Sequence, residues 1–131
     1  MLRIAMVVAA TLAGAGGALA QGDVALGQQV FEDKCASCHT VGGGEAKRGP
    51  DLANIVGRPA GTVEGYIYSD ALLEAAAAGL VWDIETLDRF ITKPRKVVNG
   101  SFMNFTGISN PDDVANVIAY LATFAPPLTQ P

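Results

Sequence analysis

Cys35-Ala36-Ser37-Cys38-His39 constrains this chain more than any other stretch. Two cysteines with two residues between them, followed at once by histidine, read as a c-type haem attachment site. On one helical turn, residues three apart share a face, so both thiols reach the two vinyl groups along one edge of a porphyrin. The next residue, His39, then falls under the iron and offers a ring nitrogen as proximal ligand. Two other chemistries compete for the motif. A redox disulfide of this spacing normally sits in a βαβ context. A structural zinc site needs about four ligands, and a chain with two cysteines and one histidine would have to complete it with carboxylates.

The first twenty residues read as a leader rather than as part of the fold. Met1-Leu2-Arg3 gives a short basic start, Ile4–Ala20 is uncharged and apolar, and Ala18-Leu19-Ala20 is a small-x-small cleavage pattern. Cleavage there makes residues 1–20 a signal peptide and 21–131 a single domain, exported to the periplasm. The competing reading is a retained anchor, for which an apolar run holding Gly14, Gly16 and Gly17 is marginal in length. An oxidising compartment favours disulfides, yet one cysteine pair builds no scaffold. A covalently held cofactor supplies the stability instead. The composition, 50% hydrophobic and 17% charged, is that of a globular domain. A net charge of −4 argues against a nucleic-acid partner, which calls for a basic surface.

The periodicity predicts helices and loops, and no strands. Residues 23–37 form a first helix capped by Asp23, with Leu26, Val30 and Phe31 at helical spacing. Gly27 inside it is either a tolerated residue or the mark of a close approach by another element. From Thr40 to Gly65, seven glycines with Pro50 and Pro59 leave no period. A loop of that length in a compact domain is disordered or wraps something functional. Ser69 caps a short helix, Asp70 to Ala78, stopped by Gly79, and a further helix runs from Asp83 to about Thr92. Residues 93–109 return to loop. Asn110, Pro111, Asp112 and Asp113 open a last helix, whose core stripe is Val114, Val117, Ile118 and Leu121 and which Ala125-Pro126-Pro127 ends.

With the leader gone, His39 is the only histidine and Met103 the only methionine. If His39 binds iron, the sixth position belongs to Met103, a lysine, a small molecule, or nothing. A lone methionine is more often core filler. This one, however, lies in an irregular stretch with Gly100, Phe102 and Phe105. A thioether favours reduced iron and raises the potential, and it leaves no room for oxygen or peroxide. The chemistry implied is electron transfer rather than catalysis.

These motifs in this order resemble a class I cytochrome c of the mitochondrial and soluble bacterial type. They run from Val30-Phe31 and Cys35–Val41 through Gly49-Pro50-Asp51-Leu52, Gly57-Arg58 and Tyr68-Ser69-Asp70-Ala71. They continue with Trp82, Pro94-Arg95-Lys96, Gly100, Met103-Asn104-Phe105 and Val117–Leu121. The resemblance implies an all-α fold in which the first and last helices cross and long loops wrap one haem. It implies thioether bonds at Cys35 and Cys38 and axial ligation by His39 and Met103. It also implies a Pro50 carbonyl that accepts from the His39 ring. Tyr68, Trp82 and Arg58 are placed near the haem propionates, and Gly27 and Phe31 against Val117 and Tyr120. Two positions depart from the pattern. Phe90 stands where a tyrosine hydroxyl is often found near the methionine sulfur, and Phe102 where a basic residue is common. Lys47, Arg48, Lys93, Arg95 and Lys96 form either one basic rim or a scattered solvated surface.

The function these readings imply is a soluble monomeric electron shuttle between membrane-bound respiratory or photosynthetic complexes. Its donor is of the quinol-cytochrome c reductase type and its acceptor an oxidase or reaction centre. The rivals are a fixed relay subunit of one dehydrogenase or oxidase, and an open-site haem enzyme or gas sensor.

Overall fold

The computed structural model describes residues 22–42 and 47–124. The expected leader, the glycines at 43 and 44 and the Ala125-Pro126-Pro127 stop lie outside the described residues. Among these described residues five helices follow in chain order: α1 (Val24–Lys34), α2 (Asp70–Ala77), α3 (Ile84–Thr92), α4 (Pro94–Val97) and α5 (Pro111–Ala122). Among the described residues the only extended pairing is an isolated antiparallel bridge between Pro59 and Val81. The fold is all-α.

Four helices begin where a short polar side chain satisfies an otherwise orphaned N–H. Asp23 accepts from Leu26 N at 2.9 Å, Ser69 from Leu72 N at 3.2 Å, Asp83 from Thr86 N at 2.7 Å and Asn110 from Asp112 N at 3.0 Å. Two elements differ from the sequence expectation. The first helix ends at Lys34, so the cysteines lie in a turn beyond it rather than in its last turn. The stretch 93–109 contains α4, which starts on Pro94 with no side-chain cap.

Helices α1 and α5 come into contact at Gly27. A Cβ at 27 would run into the Asn116 carbonyl and stand 2.9 Å from Cβ of Tyr120. The missing side chain is thus what lets the two backbones touch. Phe31 and Tyr120 pack ring on ring at 5.5 Å beside the crossing. From α5, Val114 and Val117 are 1% and 0% exposed, a burial that stabilises by roughly 1.5–3 kcal/mol per side chain. The core continues through Leu87 and Phe90 of α3, Trp82, Leu72, Val98 and Ile55.

The connections are tied by backbone bonds. The long loop after the cysteines is held against the α2–α3 connection by Gly57 N to Trp82 O (2.8 Å), Trp82 N to Arg58 O (2.9 Å) and Ala60 N to Leu80 O (2.9 Å). At the far side, Ile108 N donates to Ile91 O at 2.9 Å. Next to that bond Gly107, at φ +107°, lies so close to the Thr92 carbonyl that no side chain fits there. The two ends of segment 93–106 are therefore held side by side.

Candidate haem site

The cysteine turn is built by one carbonyl. Cys35 O accepts from Cys38 N at 3.0 Å and from His39 N at 2.9 Å, which folds the motif onto itself directly after α1. Both thiols are half-buried and unbridged. Burial, and then the neighbouring Cys38, pushes the Cys35 thiol up to about 11. Among the described residues no cluster of three or more His, Cys, Asp or Glu side chains could hold a metal ion, so the zinc alternative lacks its donors.

His39 is buried, and its Nδ1 lies 2.8 Å from the carbonyl of Pro50. A carbonyl only accepts, so Nδ1 carries the proton and the lone pair is left on Nε2. Burial draws the imidazole below its ordinary value, opposed in part by the Pro50 bond and by Asp51, which favours the neutral ring. Gly49 makes this placement possible: a Cβ there would run into Cε1 of the ring and stand 2.6 Å from Nδ1. Next along the chain, the Asp51 carboxylate accepts from Thr40 Oγ1 at 2.7 Å and from Ala53 N at 2.8 Å. With Gly49 N to Cys38 O and Leu52 N to Thr40 O, both 2.8 Å, these bonds fasten the Pro50 segment alongside His39.

Arg58 and Trp82 are brought together through their backbones. The Arg58 guanidinium donates to the carbonyls of Ala53 (3.0 Å) and Asp51 (3.3 Å). Burial lowers its affinity for its proton, while Tyr68 and Asp51 oppose the shift. Trp82 is buried and meets Phe90 edge-on at 4.8 Å. Phe90, which replaces the expected tyrosine, thus packs as part of the core. The Tyr68 hydroxyl accepts from Val63 N at 3.0 Å. Met103 is half-buried on the 93–106 segment, packed against the same apolar cluster that Cys35, Tyr68 and Trp82 join. Its N–H donates to Ser101 Oγ at 3.1 Å. A recess of about 240 Å³ opens beside it, bounded by Pro94, Arg95 and the 98–104 stretch.

One site-side residue escaped the sequence reading. The Tyr66 hydroxyl donates to the Arg48 carbonyl at 2.7 Å and its ring meets Tyr68 edge-on at 4.7 Å. Burial first, then Tyr68 and Cys38, push its pKa above the ordinary phenol value. The usable signal was the two-residue spacing to Tyr68 between Gly65 and Ser69, which in an extended segment puts both rings on one side.

The donor set fits a covalently attached porphyrin. It offers two unbridged thiols in one turn, an imidazole held in one tautomer with Nε2 uncommitted, and an apolar cluster that includes a thioether. The comparisons agree. The cytochrome c family model matches residues 24–125. Cytochrome c2 of Rhodomicrobium vannielii is 46% identical over 93% of this chain and 94% of its own length. Cytochrome c of Chlamydomonas reinhardtii is 42% identical over 76% of this chain and 88% of its own. The solved structure of cytochrome cH from Methylobacterium extorquens superposes with a TM-score of 0.70 at 41% identity, covering 78% of this chain and 99% of that one. The chain therefore belongs to the class I cytochrome c family, as an electron carrier with one covalently bound haem c rather than an enzyme.

Proposed function

We propose that the chain is a one-electron shuttle whose haem iron is held between His39 and Met103 and whose thioether bonds run to Cys35 and Cys38. The observation that carries this reading is the Nδ1 to Pro50 bond, which fixes the His39 tautomer and frees Nε2 for the metal. The haem, when bound, supplies a centre that gains and loses a single electron as iron passes between ferric and ferrous. Everything else is done by the chain. Pro50 holds the ring orientation, and a hydrogen bond to Nδ1–H makes Nε2 a better donor. Met103, on a segment whose ends are held together, would supply the second iron ligand and, packed against the apolar cluster, would help keep water out. Arg58, Tyr68 and Trp82 line the side where the acid groups of a porphyrin would lie. The Arg58 guanidinium, already half-withdrawn from water, favours keeping those acids ionised.

Residues 1–20 act as a signal peptide, and residues 21–131 work as a monomer in the periplasm. The protein meets a quinol-cytochrome c reductase type donor and an oxidase or reaction-centre type acceptor in brief encounters, since small redox interfaces are weak. Nucleic acid is not among its partners, given the acidic whole. Replacing Met103 with Ala tests the ligand set. The weak sulfur-to-iron band of the ferric spectrum disappears and the potential falls, because the thioether is what favours the reduced state. A variant with an unchanged spectrum and potential would remove Met103 from the site.

A further inference from the structure

We propose that Asn99-Gly100 is a site of spontaneous covalent modification, at which the folded protein loses the Asn99 side-chain amide and gains a carboxylate beside the Met103 segment. It is the only Asn-Gly pair in the chain. Both residues are exposed, in a turn just after α4 and on the wall of the recess beside Met103, so water reaches them. Among the described residues neither the Asn99 amide nor the Gly100 N–H takes a hydrogen bond, so neither group is tied up. Gly100 has φ +103° and no side chain to shield its nitrogen.

The chemistry balances with water alone. A base takes the Gly100 N–H proton, and the nitrogen attacks Cγ of Asn99. A C–N bond forms, ammonia leaves, and a five-membered imide remains. Water opens the ring at either carbonyl, giving aspartate or, with one extra methylene in the backbone, isoaspartate. No oxidant or other co-reactant is needed.

The other asparagines lack this combination. Asn116 Oδ1 is held by Asp23 N at 2.8 Å and the next residue is Val117. Asn110 caps α5 and precedes Pro111, whose nitrogen has no proton. Asn54 precedes Ile55 and Asn104 precedes Phe105, each with a side chain shielding the attacking nitrogen.

The new charge would stand in an unusual place. From Arg89 to Pro111 the chain holds Arg89, Lys93, Arg95 and Lys96 and no acidic residue at all. A carboxylate four residues before Met103 stabilises oxidised iron and lowers the potential, a consequence that rests on the proposed ligand set. The modification itself does not.

The test is to incubate the purified holoprotein in warm, mildly alkaline buffer, withdraw samples over days, and map peptides by mass spectrometry with isoaspartate-specific methyl transfer. Conversion at Asn99 ahead of every other asparagine, with a matching acidic species on isoelectric focusing that Asn99→Gln lacks, is expected. Retention of the Asn99 amide in the folded protein, while the urea-unfolded chain converts, would overturn the proposal because the fold would then be protecting the site. Persistence of the acidic species in Asn99→Gln would overturn it too. The Asn99→Asp variant reads the charge effect separately as a downward shift in potential, so failure of the ligand assignment is distinguishable from failure at Asn99.

Discussion

At Gly49 the constraint is space, not backbone angle. Its φ is not in the left-handed region, yet the imidazole of His39 occupies the volume that a methyl group would need. Gly49→Ala forces either the ring or the Pro50 segment to move, breaking the 2.8 Å bond that fixes the tautomer. The expected loss is about 1–3 kcal/mol of stability, the usual cost of overpacking. A lower yield of covalently loaded protein accompanies it, read from urea unfolding and from the pyridine haemochrome spectrum. The sequence named His39 and the Pro50 carbonyl. It did not identify Gly49 as the residue that lets them meet, because a glycine in a glycine-rich loop carries no mark of what lies above it. The Tyr66–Arg48 bond was hidden for a similar reason: its partner is a main-chain carbonyl, which any residue could supply.

At the scale of helices, punctuation was readable and boundaries less so. Asp23, Ser69 and Asn110 announced three starts, since short polar side chains before an apolar period have one good use. The α4 turn was missed because Pro94 also reads as a stop signal. Proline in the first turn is equally able to start a helix, where its missing N–H has no partner to lose. The end of α1 was overrun because the Cys-x-x-Cys spacing suits a tight turn as well as a helix.

Two predictions belong to this scale. Gly27→Ala places a methyl against the Asn116 carbonyl and wedges α1 from α5, costing about 1–3 kcal/mol or more; thermal unfolding measures it. Asp83 is held below its ordinary value of 3.8 by the N–H and side chain of Thr86. A depressed carboxylate gives stability that is complete above its unfolded value and lost as pH falls through its folded one. Asp83→Asn keeps the cap, so acid titrations of unfolding free energy should show less slope below about pH 4 in the variant than in the parent.

For the molecule as a whole, charge is divided unevenly along the chain. A net −4 coexists with a stretch from Arg89 to Pro111 that holds four cations and no acid. Lys93, Arg95 and Lys96 are exposed, and Phe102 close by is 70% exposed. A cationic stretch of this kind is a candidate docking face for an acidic partner, because local charge can steer encounter despite the opposite net sign. Lys96→Glu is expected to slow oxidation of the reduced protein by membranes carrying its acceptor. The deficit should shrink as salt shortens the Debye length from about 10 Å at 0.1 M to about 3 Å at 1 M. Stopped-flow rates across that range check it.

The closure at Gly107 has a consequence for engineering. Because Ile108 bonds back to Ile91 and Gly107 nestles on Thr92, the two ends of the intervening stretch are drawn together, while Val98 between them is buried in the core. The stretch is closed at its ends yet rooted through Val98 in the middle, so a graft onto a related scaffold should keep the host's helices in place only when the residues packed on Val98 are carried over with it.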